Sequence, residues 1–259
     1  MSIVKIALKS VLHPIRRAAG RFVVSQESLH SSIIWKAAQI TSAELVEGDY
    51  LEFGVFRGDS FIQAFKTIEA VYRERCADQV HIGSRHYRAR VQELWSTMRF
   101  FAFDSFQGLP AIKGLDALSN EFAETNFACP LDDFMRNLWA ASVDASKVVV
   151  VPGYFDDTCR AQTIEKHGMK AGSIIHIDCD LYESAKACLN FILPLLVDGT
   201  VLIFDDWYCF RGNPALGEQR AFAEWASGLT EWTFTQYQKD SPWNNSFVAN
   251  RREKCTAPL

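Results

Sequence analysis

After residue 48, short apolar runs alternate with longer stretches of helical periodicity. The runs are nearly continuous in apolar residues, which is typical of strands buried on both faces of a parallel sheet. We predict five strands: Tyr50–Val55 and the runs that end at Asp104, Pro152, Asp178 and Asp205. Helices between successive strands predict an α/β fold, doubly wound, with a mostly parallel sheet and helices on both faces.

Two segments interrupt this alternation. Residues 81–95 are basic, and we interpret them as an insertion that carries a helix. Residues 108–134 form a long connection after the second strand. Since long connections in compact domains often serve as lids or binding loops, we expect residues 108–134 to border a site.

The N-terminal part has a pattern of its own, so we divide the chain into a helical extension, residues 1–47, and a domain, residues 48–259. Residues 1–21 are basic and amphipathic, but their apolar run is too short for a membrane span, and no small-residue cleavage site follows it. We interpret this segment as a helix that docks on the domain or on a partner subunit. Weak contact with a membrane surface through residues 1–21 is the alternative.

Composition excludes some classes of protein. Of the 259 residues, 48% are hydrophobic and 22% are charged, an ordinary mixture for a soluble domain with a sizeable core. The net charge of -4 gives no reason to expect a nucleic-acid partner. The seven cysteines form neither a CxxC pair nor a zinc-type cluster, and their odd number is typical of reduced thiols in a cytoplasmic protein.

Polar residues gather where the predicted strands end, and ligands bind at this edge of open parallel sheets. In chain order they are Gly54, Arg57, Gly58 and Asp59, then Asp104 and Ser105, then Gly153 and Asp157, then Asp178 and Asp180, and finally Asp205 and Asp206. One acidic residue at a strand end means little, but repetition on successive strands predicts a ligand site.

The turn EFGVFRGDS indicates which cofactor this site takes. Phe56 stands where a dinucleotide fingerprint has its second glycine, the residue that lets the backbone approach a pyrophosphate. The turn therefore argues against NAD and favours S-adenosylmethionine, which has no phosphate and whose ribose diol suits a carboxylate at Asp104. The alternatives are ordinary turn glycines at Gly54 and Gly58, and a helix N-cap at Asp104.

The four late aspartates predict a metal site. Asp178 and Asp180 are two residues apart, and Asp205 and Asp206 lie beside them if the fourth and fifth strands are neighbours. Converging carboxylates repel one another unless a cation neutralises them, and oxygen ligands suit Mg²⁺ or Mn²⁺ better than zinc. The alternative is that these residues are helix N-caps and solvated turns. Trp207 and Tyr208 are expected to wall a cleft beside them.

Five segments resemble motifs of the macrocin O-methyltransferase family: YLEFGVFRGDS, FAFDSFQGLP, VPGYFDDT, IIHIDCDLYES and VLIFDDWYCFRGNPALGEQRAFAEW. The family comprises class I, S-adenosylmethionine- and metal-dependent enzymes that methylate sugar hydroxyls. The resemblance covers residues 48–225, with the motifs in the family's order, and it implies a Rossmann-like class I fold. Residues 81–95, the loop 209–219 and the first 40 residues depart from the family pattern.

The resemblance implies cofactor contacts at Glu52, Gly54 and Asp104, and metal ligands among Asp178, Asp180, Asp205 and Asp206. We extend the predicted cofactor site to Phe56, Arg57, Gly58, Ser60, Ser105, Gly153, Phe155 and Asp178. Asp178 is also our predicted catalytic base, with Asp180 as the alternative.

The predicted function is S-adenosylmethionine-dependent O-methyl transfer, assisted by Mg²⁺ or Mn²⁺, to a hydroxyl of a sugar or glycosylated small molecule. We expect a homo-oligomer whose acceptor pocket is walled by residues 108–134 and 207–217. The alternative is a metal-dependent nucleotide-sugar glycosyltransferase, whose Asp-x-Asp motif matches Asp178 and Asp180. That alternative leaves the turn after the first strand and Asp104 without a role.

Overall fold

The structure is a computed structural model that describes residues 31–77, 85–118 and 122–252. The predicted amphipathic helix within residues 1–21 lies outside the described residues, so its docking and its membrane contact stay predictions. None of the described helices has both the length and the apolar character needed to cross a bilayer.

A seven-stranded sheet forms the centre of the described part of the chain. The strands are β1 (Asp49–Phe53), β2 (Phe100–Asp104), β3 (Val148–Pro152), β4 (Gly172–Ile177), β5 (Thr200–Phe204), β6 (Trp232–Gln236) and β7 (Asn245–Arg251). Their order is β3-β2-β1-β4-β5-β7-β6. Strands β1 to β5 are parallel, as predicted, and β7 pairs antiparallel with both β5 and β6.

The described helices are α1 (Ile33–Ala43), α2 (Asp59–Ala77), α3 (Arg85–Thr97), α4 (Leu131–Ala140), α5 (Phe155–Thr158), α6 (Ala161–His167), α7 (Tyr182–Ile192) and α8 (Gly217–Ser227). Alternate residues of each strand point to opposite faces of the sheet. Tyr50 belongs to the core that the strands share with α1 and α2, and Leu51 to the core shared with α7 and α8. Helices therefore cover both faces, which confirms the predicted doubly wound fold.

Helix α1 lies within the predicted N-terminal extension and packs into the domain core. The Ser32 hydroxyl caps it by accepting the Trp35 N–H at 3.1 Å. Ile33 and Ile34 are buried in the same cluster as Tyr50 of β1. Helix α1 thus shares a core with the first strand of the domain. The division of the chain at residue 47 stays a prediction.

Helix α3 confirms the helix predicted for the basic segment. Val91 and Leu94 are its buried residues. Trp95 packs against Tyr72 of α2, with ring centroids 5.7 Å apart. Arg90 pairs with Glu93 at 2.7 Å near the surface. The described part of the segment, residues 85–95, is therefore helical and docked on α2, with its basic residues at or near the surface.

Candidate active site

The sheet register brings the aspartates of β4 and β5 together. Ile177 of β4 pairs with Phe204 of β5 in a parallel ladder, so Asp178 and Asp205 leave the sheet side by side. One carboxylate oxygen from each of Asp178, Asp205 and Asp206 lies within 4.8 Å of the other two. We call these three residues the aspartate trio.

Asp180 lies outside the aspartate trio, which therefore contains three of the four predicted metal ligands. Metal contact by Asp180 stays a prediction. The prediction assumed that residues 178 and 180 point the same way, as alternate residues of a strand do. Asp180 instead has a left-handed backbone, with φ of 61°, where the chain turns towards α7. Its direction therefore no longer follows the strand.

The trio fits a hard divalent cation. Its donors are all carboxylate oxygens, the ligand type that Mg²⁺ and Mn²⁺ prefer. The Asp206 residue is only 2% exposed, and the Cys209 thiol donates to its Oδ1 at 3.1 Å. The alternative role as N-caps fails, because the N-caps of α7 and α8 are Leu181 and Leu216.

A buried polar network lies in the sheet beside the trio. The Tyr50 hydroxyl donates to Glu52 Oε2, the Ser60 hydroxyl donates to Glu52 Oε1 at 2.5 Å, and His176 Nδ1 lies 3.7 Å from Glu52 Oε2. Burial opposes a charge on His176, but the hydrogen bond and charge of Glu52, together with Asp178 and Asp205, raise its pKa to about 9. A protonated His176 offsets part of the negative charge here.

Glu52, a predicted cofactor contact, takes part in this buried network, and its contact with a cofactor stays a prediction. It is fully buried, and protein hydroxyls donate to both of its carboxylate oxygens. Its side chain therefore offers no accessible atom for a cofactor contact in this geometry. The structure gives Glu52 the role of tying Ser60, at the start of α2, to the sheet.

The turn after β1 joins the predicted cofactor site to the trio. Gly54 has φ of 94°, and a Cβ there would overlap the carbonyl oxygen of Asp178. Only glycine therefore allows the first strand end to pack this closely on the fourth. The turn continues through Phe56, which also has positive φ, 47°.

Asp104 holds this turn through its side chain. Its Oδ2 accepts the Phe56 N–H at 2.8 Å, and its Oδ1 accepts the Phe106 N–H at 2.7 Å. Burial raises the pKa of Asp104, although these backbone N–H groups oppose the shift. A turn follows Asp104, so the predicted alternative of a helix N-cap is wrong.

The other predicted cofactor residues line the ends of β1, β2 and β3. Arg57 is exposed, with its guanidinium 5.0 Å from the Phe56 ring centroid. The Ser105 hydroxyl donates to the Gly108 carbonyl at 2.7 Å, and the Gly153 N–H donates to the Asp104 carbonyl at 2.9 Å.

Gly58 and Phe155 complete this group. A Cβ on Gly58 would lie 2.9 Å from the Phe134 ring, so this glycine lets the turn pack on α4. The half-buried Phe155 stacks edge-on against Phe53, with centroids 5.9 Å apart. Whether these residues touch a cofactor stays a prediction, but they share one edge of the sheet.

The two predicted walls of the acceptor pocket contact each other. Phe122 of the first segment and Phe210 of the second have ring centroids 5.7 Å apart. Phe127 packs on Phe56 of the turn after β1, at 5.9 Å. Trp207 is half-buried and packs against core rings such as Phe247, 5.0 Å away, so its place in the pocket wall stays a prediction.

Left-handed backbone conformations concentrate around these loops. Nine non-glycine residues among those described have φ between 47° and 64°. Seven of them lie in the strand-end turns and the two wall segments: Phe56, Phe106, Thr125, Phe127, Asp180, Phe210 and Arg211. Such conformations cost free energy and are often kept at functional sites.

Glu218 is a site residue that the sequence analysis missed. It is 1% exposed, and its Oε2 accepts the Asp206 N–H at 3.1 Å. Burial raises its pKa well above the usual value, and Cys179 and the carboxylates of the trio act in the same direction. In the sequence it stands in an ordinary helical pattern, and only its proximity to Asp206 distinguishes it.

Comparison with known proteins agrees with this geometry. The profile of the family Macrocin-O-methyltransferase (TylF) matches residues 88–224, more than half of the chain. A relative from Streptomyces olivaceus is the 8-demethyl-8-(2,3-dimethoxy-alpha-L-rhamnosyl)-tetracenomycin-C 4'-O-methyltransferase. It is 31% identical over 173 residues, which cover 64% of this chain and 55% of the relative. This chain thus spans about half the length of that relative.

Solved structures share the fold. The O-methyltransferase NovP superposes with a TM-score of 0.62 at 17% identity, over 86% of this chain and 81% of NovP. The calicheamicin methyltransferase CalS11 gives 0.61 at 21% identity, over 87% and 80%. These identities show the fold alone, and nothing in the comparisons supports the glycosyltransferase alternative. By its matched profile, its motifs and its fold, the chain belongs to the macrocin-O-methyltransferase family.

Proposed function

We propose that this protein is an S-adenosylmethionine-dependent O-methyltransferase that acts on a hydroxyl of a sugar or glycosylated small molecule with the help of a divalent cation. One observation carries the proposal: the turn after β1 packs directly on the end of β4, where Asp178 of the aspartate trio lies, through Gly54 and the Asp178 carbonyl. A methyl donor over the first strands and an acceptor at the trio would then be neighbours.

The relatives support the same class of acceptor. The Streptomyces olivaceus relative is named as a 4'-O-methyltransferase of a rhamnosyl-bearing tetracenomycin, and CalS11 is titled a calicheamicin methyltransferase. The chain spans about half of the Streptomyces olivaceus relative and is only 21% identical to CalS11. The proposal therefore names the class of acceptor and not a particular acceptor molecule.

Asp104 suits the ribose of S-adenosylmethionine, which supplies the methyl group. Its two carboxylate oxygens accept the Phe56 and Phe106 N–H groups, and a carboxylate has about four acceptor sites, which leaves capacity for a ribose hydroxyl. The turn residues from Gly54 to Ser60, with Ser105, Gly153 and Phe155, would form the remainder of the cofactor site.

Asp178, Asp205 and Asp206 would hold Mg²⁺ or Mn²⁺. A divalent cation at this site would lower the pKa of an acceptor hydroxyl and orient it. His176 is buried beside the trio with a raised pKa, and its protonated form would limit repulsion among the carboxylates.

A carboxylate of β4 would take the proton of the acceptor hydroxyl. The hydroxyl oxygen then forms a C–O bond to the methyl carbon while the C–S bond of the donor breaks. Asp178 is our predicted base, but it belongs to the trio, which makes Asp180 the main rival. The Asp180→Asn variant separates the two assignments. If Asp180 is the base, this variant should lose methyl transfer while it keeps its affinity for Mn²⁺.

The proposal is tested with methyl-labelled S-adenosylmethionine and a panel of sugars and glycosylated small molecules, with and without EDTA. We expect labelled product that disappears with EDTA and returns with Mg²⁺. Asp205→Asn should abolish transfer and leave S-adenosylhomocysteine affinity within about threefold, because the proposed cofactor site lies over other strands. Asp156→Asn, an exposed change on α5, is the matched control.

Three results would count against the proposal. Absence of calorimetric binding of S-adenosylhomocysteine would remove the whole function. Transfer that survives both EDTA and Asp205→Asn would remove the cation. Transfer to acceptors that carry no sugar, but not to the glycosylated ones, would remove the acceptor class.

A further inference from the structure

Asp206 lies beyond the hydrogen-bonded ladder of the sheet, so something else must set its position. Strand β5 ends at Phe204, and the N–H of Asp205 still donates to the Ile177 carbonyl of β4 at 3.0 Å. The N–H of Asp206 has left the ladder and donates to Glu218 Oε2 of α8 at 3.1 Å. A side chain from a later helix thus takes over where the strand stops.

The next residue of each segment repeats the contact. Gln219 Nε2 donates to the carbonyl of Trp207 at 2.6 Å. Two consecutive side chains of α8 therefore form hydrogen bonds with backbone groups of two consecutive residues after β5, the N–H of Asp206 and the carbonyl of Trp207. We call Glu218 and Gln219 the α8 clamp.

Gly217 allows the clamp to reach the strand end. It has φ of 56°, and a Cβ at this position would lie 2.6 Å from the Phe210 ring. The first turn of α8 consequently packs closely against the loop after β5. This approach leaves Glu218 only 1% exposed.

Burial of Glu218 is hard to explain as a contribution to stability. Its Oε1 is buried and has no hydrogen-bond partner among the described residues. Burying an incompletely satisfied polar group near other carboxylates costs free energy that an apolar residue would not cost. Because the buried Glu218 side chain costs free energy of folding, its presence here indicates a role in the candidate site.

We propose that Glu218 is a positioning residue, which together with Gln219 holds the backbone at Asp206 so that the Asp206 carboxylate meets those of Asp178 and Asp205. This inference rests on the proposed function, in which the trio binds a cation. It predicts that the oxygen acceptor at position 218 matters and that its charge does not. Partners outside the ligand sphere commonly change metal affinity by about 10- to 100-fold.

The test measures Mn²⁺ affinity by calorimetry on the full chain without acceptor, for the wild type, Glu218→Gln, Glu218→Leu and Gln219→Leu. Glutamine keeps an oxygen that accepts the Asp206 N–H, so Glu218→Gln should bind within about threefold of the wild type. Glu218→Leu should lose about tenfold or more, and Gln219→Leu should lose less. Glu224→Leu, on the exposed side of the same helix, is the control and should bind as the wild type does.

A second readout is amide hydrogen exchange at Asp206 in metal-free protein, which should be faster in Glu218→Leu and unchanged in Glu218→Gln. If Glu218→Leu does not fold, the Mn²⁺ affinities of Glu218→Gln and Gln219→Leu test the positioning role. Equal Mn²⁺ affinity in the wild type and both leucine variants would overturn this inference alone. A tenfold loss in Glu218→Gln would also overturn it, since charge would then be the requirement. A wild type that binds no Mn²⁺ would overturn the cation in the proposed function, and this inference with it.

Discussion

Contacts of single residues connect the two halves of the candidate site. Asp104 holds the turn after β1 by accepting the N–H of Phe56, and Gly54 in the same turn packs on the Asp178 backbone. A substitution at either residue should therefore alter the structure of both parts of the candidate site: the proposed site of the methyl donor and the aspartate trio.

Gly54→Ala tests the close approach of the two strand ends. The added Cβ would overlap the Asp178 carbonyl oxygen at a φ of 94°, so we expect a loss of about 3 kcal/mol or more in the free energy of unfolding. Gly168→Ala is the matched control, because Gly168 also has positive φ, 55°, but has open space around it. That control should lose only about 1 kcal/mol. Urea unfolding measures both, and equal losses would show that crowding at Asp178 is unimportant.

Asp104→Ala tests the cofactor site. Asp104 accepts the Phe56 and Phe106 N–H groups and is our proposed partner of the ribose, so its removal should weaken S-adenosylhomocysteine binding by about 1.5–3 kcal/mol. Calorimetric titration gives the affinity. Asp144→Ala, which removes an exposed cap far along the chain, should leave it unchanged. An unaltered affinity in a folded Asp104→Ala protein would exclude Asp104 from the site.

Among the elements, the long loop after β2 is more firmly held than its sequence indicates. Its ends are joined by the bond from the Leu109 N–H to the Asn126 carbonyl at 2.9 Å. Asp116, within the loop, accepts the Tyr182 N–H at 2.7 Å and the Glu183 N–H at 3.3 Å, at the start of α7. The loop is thus tied to the helix that directly follows Asp178 and Asp180.

Asp116→Ala should release this tie. The first N–H groups of α7 would lose their acceptor, which costs about 1–2 kcal/mol for a helix cap. Amide exchange at Tyr182 and Glu183 should then be faster by about 5- to 30-fold, as measured by mass spectrometry. Asp132→Ala, in the exposed first turn of α4, is the control. Unchanged exchange at both amides would mean that the loop does not cap α7.

For the whole molecule, the trio links folding to the proposed cation. Three carboxylates from two neighbouring strand ends meet within 4.8 Å, and they repel one another without a counter-charge. A cation that binds only the folded state adds its binding free energy to the stability of the fold. Stability should therefore depend on divalent cations, although the trio is a small part of the chain.

Addition of Mg²⁺ or Mn²⁺ at 100 times the dissociation constant should stabilise the fold by about 2.7 kcal/mol. For a domain of this size, that corresponds to a rise in Tm of about 5–10 °C. Scanning calorimetry with EDTA, with the cation and with NaCl at matched ionic strength measures the effect. Asp206→Asn should reduce the rise strongly and Asp156→Asn should not. The same Tm in EDTA and in excess cation would contradict the linkage.

The sequence by itself determined the parallel part of the sheet and the edge of the sheet where the candidate site lies. Buried parallel strands are nearly continuous apolar runs, so five strands were recognisable without knowledge of their neighbours. Residues such as Asp104, Asp178 and Asp205 follow those runs directly. Because parallel strands end at one edge, chain order alone predicted that they share a site. Strands β6 and β7 were missed. The outermost strand, β6, is largely exposed and carries polar residues, and the short apolar run of β7 is flanked by polar residues.

Only the tertiary structure decided which side chains enter the site. Asp180, whose backbone is left-handed, lies outside the aspartate trio, and Glu52 is buried beneath hydroxyl donors from Tyr50 and Ser60. Glu218 joined the site through a bond to a residue 12 positions earlier in the chain. A residue's type and its spacing along the chain predict the edge of the sheet that it occupies. Its direction and its partners depend on turn dihedrals and on helices that pack from elsewhere, which no local pattern encodes.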